Sequence, residues 1–228
     1  MKDFYYILPL FLQKMGRIVF WIIFKFFLRL EIVGNKEFLS HNKPLIFAAN
    51  HTGELDPAVF ALILPFFSKF FPLYFVSNPQ ERYKSFGWRS YIYGGQFFNM
   101  LGAYQIFSGR KNYAFSLQNH IKLLRKGRTV CIFPEGKRTV DGSFSKAHGG
   151  VAYLSFTTTT AVLPVSINTL YGMGWKDFFF RRKKLKVFIG TPIEPEVIVP
   201  NQNPKVKDFQ NGAQMIMNVI EENFKKLL

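Results

Sequence analysis

Short apolar runs punctuated by Pro and Gly alternate along most of this chain with segments whose apolar positions recur at helical spacing. PLIFAAN (44–50) follows a Pro and reads as a buried strand, and the runs at 72–77, 129–134, 161–167 and 185–190 have the same character. Helical patterns occupy 57–67, 113–126, 147–157 and 207–227. The one at 113–126 ends in RKGR, with cations in the last turn and Gly127 just beyond, a good stop signal. Alternation of this kind predicts an α/β fold over residues 34–228: a single domain with a mixed central sheet flanked by helices. In such folds chemistry sits on loops beyond the strand ends.

Residues 1–33 follow a different pattern. FYYILPLFLQKMGRIVFWIIFKFFLRL (4–30) is the most apolar part of the chain, and its longest charge-free stretches are 4–13 and 18–24. Both fall short of the roughly 20 residues that cross a hydrocarbon core. On a helix, Lys14, Arg17, Lys25 and Arg29 share one arc of about 120°, with aromatics filling much of the remainder. This predicts amphipathic helices lying in a membrane interface, cations toward lipid phosphates, with Pro9 separating a short first helix from the second. No small-residue cleavage site follows, so a signal peptide is not expected.

Composition sharpens the choice of partner. The 228 residues carry a formal charge of +16, and 28 of them are Phe. A charge of that size points to a polyanion. Single-stranded nucleic-acid binders interleave aromatics with cations, whereas here the aromatics lie in long runs such as FALILPFFSKFFPLYFV (60–76). An anionic phospholipid surface or a phosphorylated substrate is expected, and no nucleic acid. The single cysteine, Cys131, excludes an internal disulfide or a cysteine-based zinc site and reads as a small core residue. No metal is expected.

Candidate chemistry begins at NHTGELD (50–56). On one continuous helix, His51 and Asp56 would point roughly 140° apart. The flanks predict otherwise: His51 leaves the end of a strand, Asp56 caps a helix whose first position is Pro57, and Gly53 permits a tight turn between them. Such a turn brings a carboxylate to an imidazole. TVCIFPEGKR (129–138) runs from an apolar strand into Pro134, Glu135, Gly136 and two cations, the second being Arg138. Gly136 permits close approach of a ligand to the backbone. LGAYQIFSGRKN (101–112) places Arg110 and Lys111 just before a helix, where a guanidinium and the helix start together suit a phosphate. AVLPVSI (161–167) carries Pro164, which is tolerated in a strand at an edge or a bulge.

In order, NHTGELD, the stretch from Gly102 to Arg110, IFPEGKR and VLPV resemble the four sequence blocks of the glycerolipid acyltransferase family that includes 1-acyl-glycerol-3-phosphate acyltransferases. DGSFSKAHGG (141–150) and FIGTPI (188–193) fall where that family has similar text, so the resemblance spans roughly 44–195. The chain departs from the family in three places. The gap between Gly102 and Arg110 is longer, Lys137 stands where a small hydroxyl residue is common, and Asn78 stands where a Lys is frequent.

The resemblance implies transfer of a fatty acyl group from a thioester, acyl-CoA or acyl carrier protein, to the free hydroxyl of 1-acyl-glycerol 3-phosphate, with no bound cofactor. His51 would act as general base and Asp56 would hold its other ring nitrogen, the substrate hydroxyl replacing the serine of a hydrolase triad. No GxSxG elbow occurs, so direct transfer is expected. Arg110 or Lys111, with Glu135, Gly136, Arg138 and Pro164, would bind the acceptor. The cytoplasmic face of the cell membrane, with peripheral or monotopic attachment, is the expected location. Another acceptor, or a lipid-binding protein without catalysis, are the competing readings.

Overall fold

The computed structural model describes residues 4–79, 96–107, 112–168 and 171–228. Its elements follow the chain as α1 (Phe4–Phe27), β1 (Glu31–Gly34), β2 (Ile46–Ala49), α2 (Asp56–Leu62), β3 (Leu73–Ser77), α3 (Gln96–Met100), β4 (Ala103–Gln105), α4 (Tyr113–Ser116), α5 (Gln118–Arg125), β5 (Thr129–Ile132), α6 (Gly150–Thr158), β6 (Val162–Asn168), α7 (Trp175–Phe179), β7 (Lys186–Ile189), α8 (Pro195–Ile198) and α9 (Val206–Lys225). The strands form one sheet in the order β1-β7-β6-β2-β5-β3-β4. All neighbours are parallel except β6 and β7. The expected mixed α/β architecture is therefore present.

Strand side chains alternate between two apolar layers. Phe47 and Ala49 of β2, with Leu163, Val165 and Ile167 of β6, join Phe24 and Leu28 of the N-terminal segment and Val59 and Phe60 of α2 on one face. Ile46 and Ala48 pack on the other face with Leu123 and Leu124 of α5, Val151 and Leu154 of α6, and Ile216 and Ile220 of α9. Both faces of the central strands are covered, which explains why they read as unbroken apolar runs. Phe60 is fully buried with its ring 6.1 Å from that of Phe47 and 5.5 Å from that of Phe133. Truncating it to Ala would cost about 3–5 kcal/mol.

Several local expectations are corrected. Pro9 does not divide the N-terminal segment: α1 runs unbroken past it. It lies in the second turn, where it removes only one hydrogen bond near a helix end. Pro164 is neither at an edge nor in a bulge, since β6 lies between β7 and β2. Its carbonyl accepts from Gly190 N at 2.9 Å, so its nitrogen faces the same neighbour, just where β7 has ended at Ile189. A missing donor costs little there. The helix at 113–126 is broken at Leu117, whose ψ of 13° departs from helical values, and α6 starts at Gly150. β1 and β4, three to four residues each, are too short to carry a legible pattern.

The cation arc of α1 is only partly turned outward. Arg17 Nε donates to Leu64 O at 2.9 Å, and Lys14 Nζ lies 5.0 Å from the centre of the Phe66 ring. Gln13, the sole uncharged polar side chain between Ile7 and Arg17, is buried and bonded to the sheet. Its Nε2 donates to Leu73 O and Leu101 O at 2.7 Å, and its Oε1 accepts from Leu73 N at 2.8 Å. α1 is thus pinned along one side. The opposite side exposes Ile7, Phe11, Met15, Ile18, Val19, Trp21, Ile22 and Phe26, a largely apolar face roughly 160° wide into which Lys25 also projects. Residues Tyr6–Phe27 are long and apolar enough to cross a membrane by length and composition.

Candidate active site

β2 and β5 are parallel neighbours with Ala48 in register with Ile132, so the loops leaving their carboxyl ends emerge side by side. One loop carries His51 and the other Glu135. Asn50, buried at the end of β2, exchanges two hydrogen bonds with the backbone of Ile167 on β6, at 2.9 Å from its Nδ2 and 2.8 Å to its Oδ1. The loop therefore starts from a fixed anchor.

Asp56 is completely buried at the first residue of α2. It does not cap the helix forward as expected. Its carboxylate turns back into the loop, where Oδ2 accepts from Thr52 N and, at 2.8 Å, from Gly53 N. His51 Nδ1 donates to the same oxygen at 2.8 Å. The hydrogen bonds from the backbone keep the Asp56 carboxylate aimed at the ring. The His51 ring stacks on Phe133 at 4.1 Å between centroids with planes 14° apart, and Phe133 rests in turn on Phe60. Rotation of the imidazole is blocked on one side by this ring and at one edge by the carboxylate.

Glu135, also buried, spends both oxygens on backbone donors: Oε1 accepts from His51 N at 2.9 Å and Oε2 from Ser145 N at 2.8 Å. Thr139 N donates to His51 O at 2.9 Å, so both backbone groups of His51 are held by the segment after β5. Gly136 takes a φ of +67°, which its lack of a Cβ permits, and its carbonyl accepts from Asn78 Nδ2 at 3.2 Å. Arg138 Nη1 pairs with Glu54 Oε1 at 2.9 Å, tying the two loops together at the surface.

A cleft of about 850 Å³ opens beside these groups. His51, Asn78, Gly136, Arg138 and His148 line its polar end. Leu12 and Phe20 of α1 with Phe98 and Leu101 line an apolar part, so α1 forms one wall. Its volume lies in the range of ordinary ligand sites. Of the residues singled out in the sequence, His51, Gly136 and Arg138 line this cleft, Asp56 and Glu135 brace it from behind, and Pro164 is buried in the sheet and lines neither this cleft nor the small cavity behind His51. Arg110 and Lys111 lie outside the described residues, although Asn112 and Tyr113, which follow them, line the cleft. Cys131 is buried on β5 and its thiol is pushed well up by burial, as a core residue requires. No group of three or more metal-ligating side chains occurs among the described residues.

Asn50, Phe133, His148 and Gln13 were not singled out by sequence reasoning. A polar residue beside the candidate base, and an amide inside an apolar helix, are the signals that could have found Asn50 and Gln13. Phe133 and His148 lie within the blocks IFPEGKR and DGSFSKAHGG, whose resemblance to the family is the signal that could have found them.

A family model described as acyltransferase matches residues 31–168. A 1-acyl-sn-glycerol-3-phosphate acyltransferase of Chlamydomonas reinhardtii is 25% identical over 178 residues, covering 78% of this chain and 49% of that protein. The chain spans about half the length of the curated relatives it matches. The crystal structure of the 1-acyl-sn-glycerophosphate (LPA) acyltransferase PlsC from Thermotoga maritima is 19% identical, with a TM-score of 0.63 over 94% of this chain and 77% of that one. It shares the fold.

Proposed function

The chain belongs to the acyltransferase family, and from that premise we propose that it transfers a fatty acyl group from an acyl thioester to the hydroxyl of 1-acyl-glycerol 3-phosphate, yielding phosphatidic acid. The observation that carries this reading is the His51–Asp56 pair on the wall of a large, partly apolar cleft. With Nδ1 committed to Asp56, Nε2 is the nitrogen that accepts a proton. It takes the proton of the acceptor hydroxyl as that oxygen attacks the thioester carbonyl. The tetrahedral intermediate then expels the thiolate, which recovers the proton from the imidazolium. Asp56 stabilises that cation and fixes the tautomer. No serine intermediate is needed.

The acceptor's phosphate is assigned to Arg110 or Lys111, with Arg138, which lines the cleft, as a further cation. Glu135 contributes by holding the backbone of His51 in place. The donor is acyl-CoA or acyl carrier protein. The largely apolar outer face of α1 supports attachment to an anionic membrane surface at its cytoplasmic face without crossing it, because the helix's inner side is bonded to β3 through Gln13 and to the turn after α2 through Arg17. A lipid acceptor then reaches the cleft past α1 without leaving the interface.

The test is thiol release by the purified protein with acyl-CoA or acyl carrier protein and a panel of acceptors: 1-acyl-glycerol 3-phosphate, glycerol 3-phosphate, other lysophospholipids and non-phosphorylated lipids. The first should be consumed fastest and His51→Ala should release no thiol. Faster turnover of a non-phosphorylated acceptor would overturn the substrate assignment. Arg110→Ala should raise the acceptor KM, and an unchanged KM moves the grip to Lys111.

A further inference from the structure

α7 and the residues after it, WKDFFFRRKK (175–184), have no part in the cleft, yet they carry three of the most exposed large aromatic side chains among the described residues. Trp175 is 79% exposed, Phe179 59% and Phe180 71%. Aromatics left in water at this density mark a surface that is covered in use. Their arrangement is ordered: the rings of Trp175 and Phe179 are stacked with centroids 6.1 Å apart.

This cluster is continuous with the outward face of α1. Phe27 stacks on Phe178 at 4.7 Å and meets Phe179 edge-on at 5.9 Å, while the Arg181 guanidinium lies 5.0 Å from the centre of the exposed Phe26 ring. The surroundings are strongly cationic. Lys176, Arg181, Arg182, Lys183 and Lys184 sit within the same ten residues against one carboxylate, Asp177. That carboxylate caps the start of α7, accepting from Gly174 N at 3.1 Å. Lys184 is paired with Glu31, and Lys183 Nζ donates to Tyr171 O at 3.1 Å. Arg182 lies over the Phe180 ring at 5.6 Å, so cation and aromatic project together.

We infer that α7 and its basic tail form a second membrane contact, in which Trp175, Phe179 and Phe180 enter the headgroup boundary of an anionic bilayer while Arg181 and Arg182 bind lipid phosphates. This rests on the reading that α1 lies on the same surface. Exposed aromatics flanked by cations match the two layers of an anionic interface, apolar within and negative at its surface. A second copy of this chain, itself at +16, would be matched by the aromatics alone and repelled by Lys176, Arg181 and Arg182. The consequence is orientational. A single helix on a bilayer can roll about its axis. An aromatic anchor beside its C-terminal end prevents that roll and keeps the cleft, walled by α1, at a fixed attitude to the lipid.

The full-length protein is sedimented with vesicles of phosphatidylcholine alone and of phosphatidylcholine with a third phosphatidylglycerol. Wild type should bind the anionic vesicles. The triple variant Trp175→Ala, Phe179→Ala, Phe180→Ala should bind at least about tenfold more weakly. R181Q with R182Q should lose roughly tenfold or more on anionic vesicles only, since each interfacial cation is worth about a factor of five. Turnover of short-chain, water-soluble substrates should be unchanged in both. Should the triple variant not fold, Trp175→Ser carries the same test. So does brominated-lipid quenching of Trp175 after Trp21→Phe and Trp88→Phe. Equal vesicle binding by wild type and variants, or no quenching, overturns the second contact while leaving α1 docking intact. Absence of binding by wild type overturns both. Loss of a sedimenting dimer in the variant, with vesicle binding unaltered, would assign the patch to a second copy of this chain.

Discussion

Glu135 Oε1 accepts the backbone N–H of His51 across 84 residues of sequence, at 2.9 Å. The contact makes the loop after β5 the support for the loop after β2. His51 is thus held by Asp56 on its ring, Phe133 under the ring, and Glu135 and Thr139 on its backbone.

Replacing Glu135 by Gln removes one of the two acceptors needed by His51 N and Ser145 N and sets an NH2 against a buried donor. Stability should fall by about 1–3 kcal/mol in urea denaturation. If the side chain works through His51, kcat should fall with the acceptor KM nearly constant. A rise confined to the acceptor KM would instead mean that Glu135 touches the acceptor.

Asp56→Asn substitutes a side chain whose single oxygen cannot serve the imidazole and both backbone donors, and whose amide favours the opposite tautomer. Turnover should drop by about two to four orders of magnitude, with substrate binding measured on the inactive protein little changed. A drop of less than tenfold would argue against the tautomer role.

Gly136→Ala meets two obstacles of different size. Its φ of +67° costs a non-glycine residue about 1–2 kcal/mol, whereas the new methyl would lie 3.0 Å from Cδ2 of the exposed His148 side chain, which can swing away. Backbone strain should dominate. Thermal denaturation of Gly136→Ala should show a loss that adding His148→Ala does not recover.

Burial lowers the His120 imidazole to about 4, and its Nδ1 has no hydrogen-bond partner among the described residues. Unfolding returns it to an ordinary value near 6.5. Between these two values the unfolded chain binds a proton that the folded one refuses. This contribution to stability is therefore full above about pH 6.5 and declines as pH falls toward 4, by on the order of 3 kcal/mol at most. Below that it is flat. Urea midpoints of wild type and His120→Gln at pH 7 and 4.5 should differ in slope, the variant losing less on acidification.

Local pattern was enough for the strands, because a segment buried on both faces must be apolar throughout, and enough for the pairing of His51 with Asp56, because five residues around a glycine can close a turn. It also set out the blocks that mark the family. What only the tertiary structure decided are relations between distant segments. The register of Ala48 with Ile132 turns Glu135 toward a backbone donor, and the end of β7 at Ile189 makes an interior Pro164 harmless. α1 shows the limit most plainly. Sheet-facing Phe24 and outward Phe26 belong to one apolar pattern, and hydrophobicity does not distinguish a protein core from a lipid surface. Gln13 and Arg17 choose the inner side only when the backbone carbonyls of Leu73 and Leu64 are there to receive them.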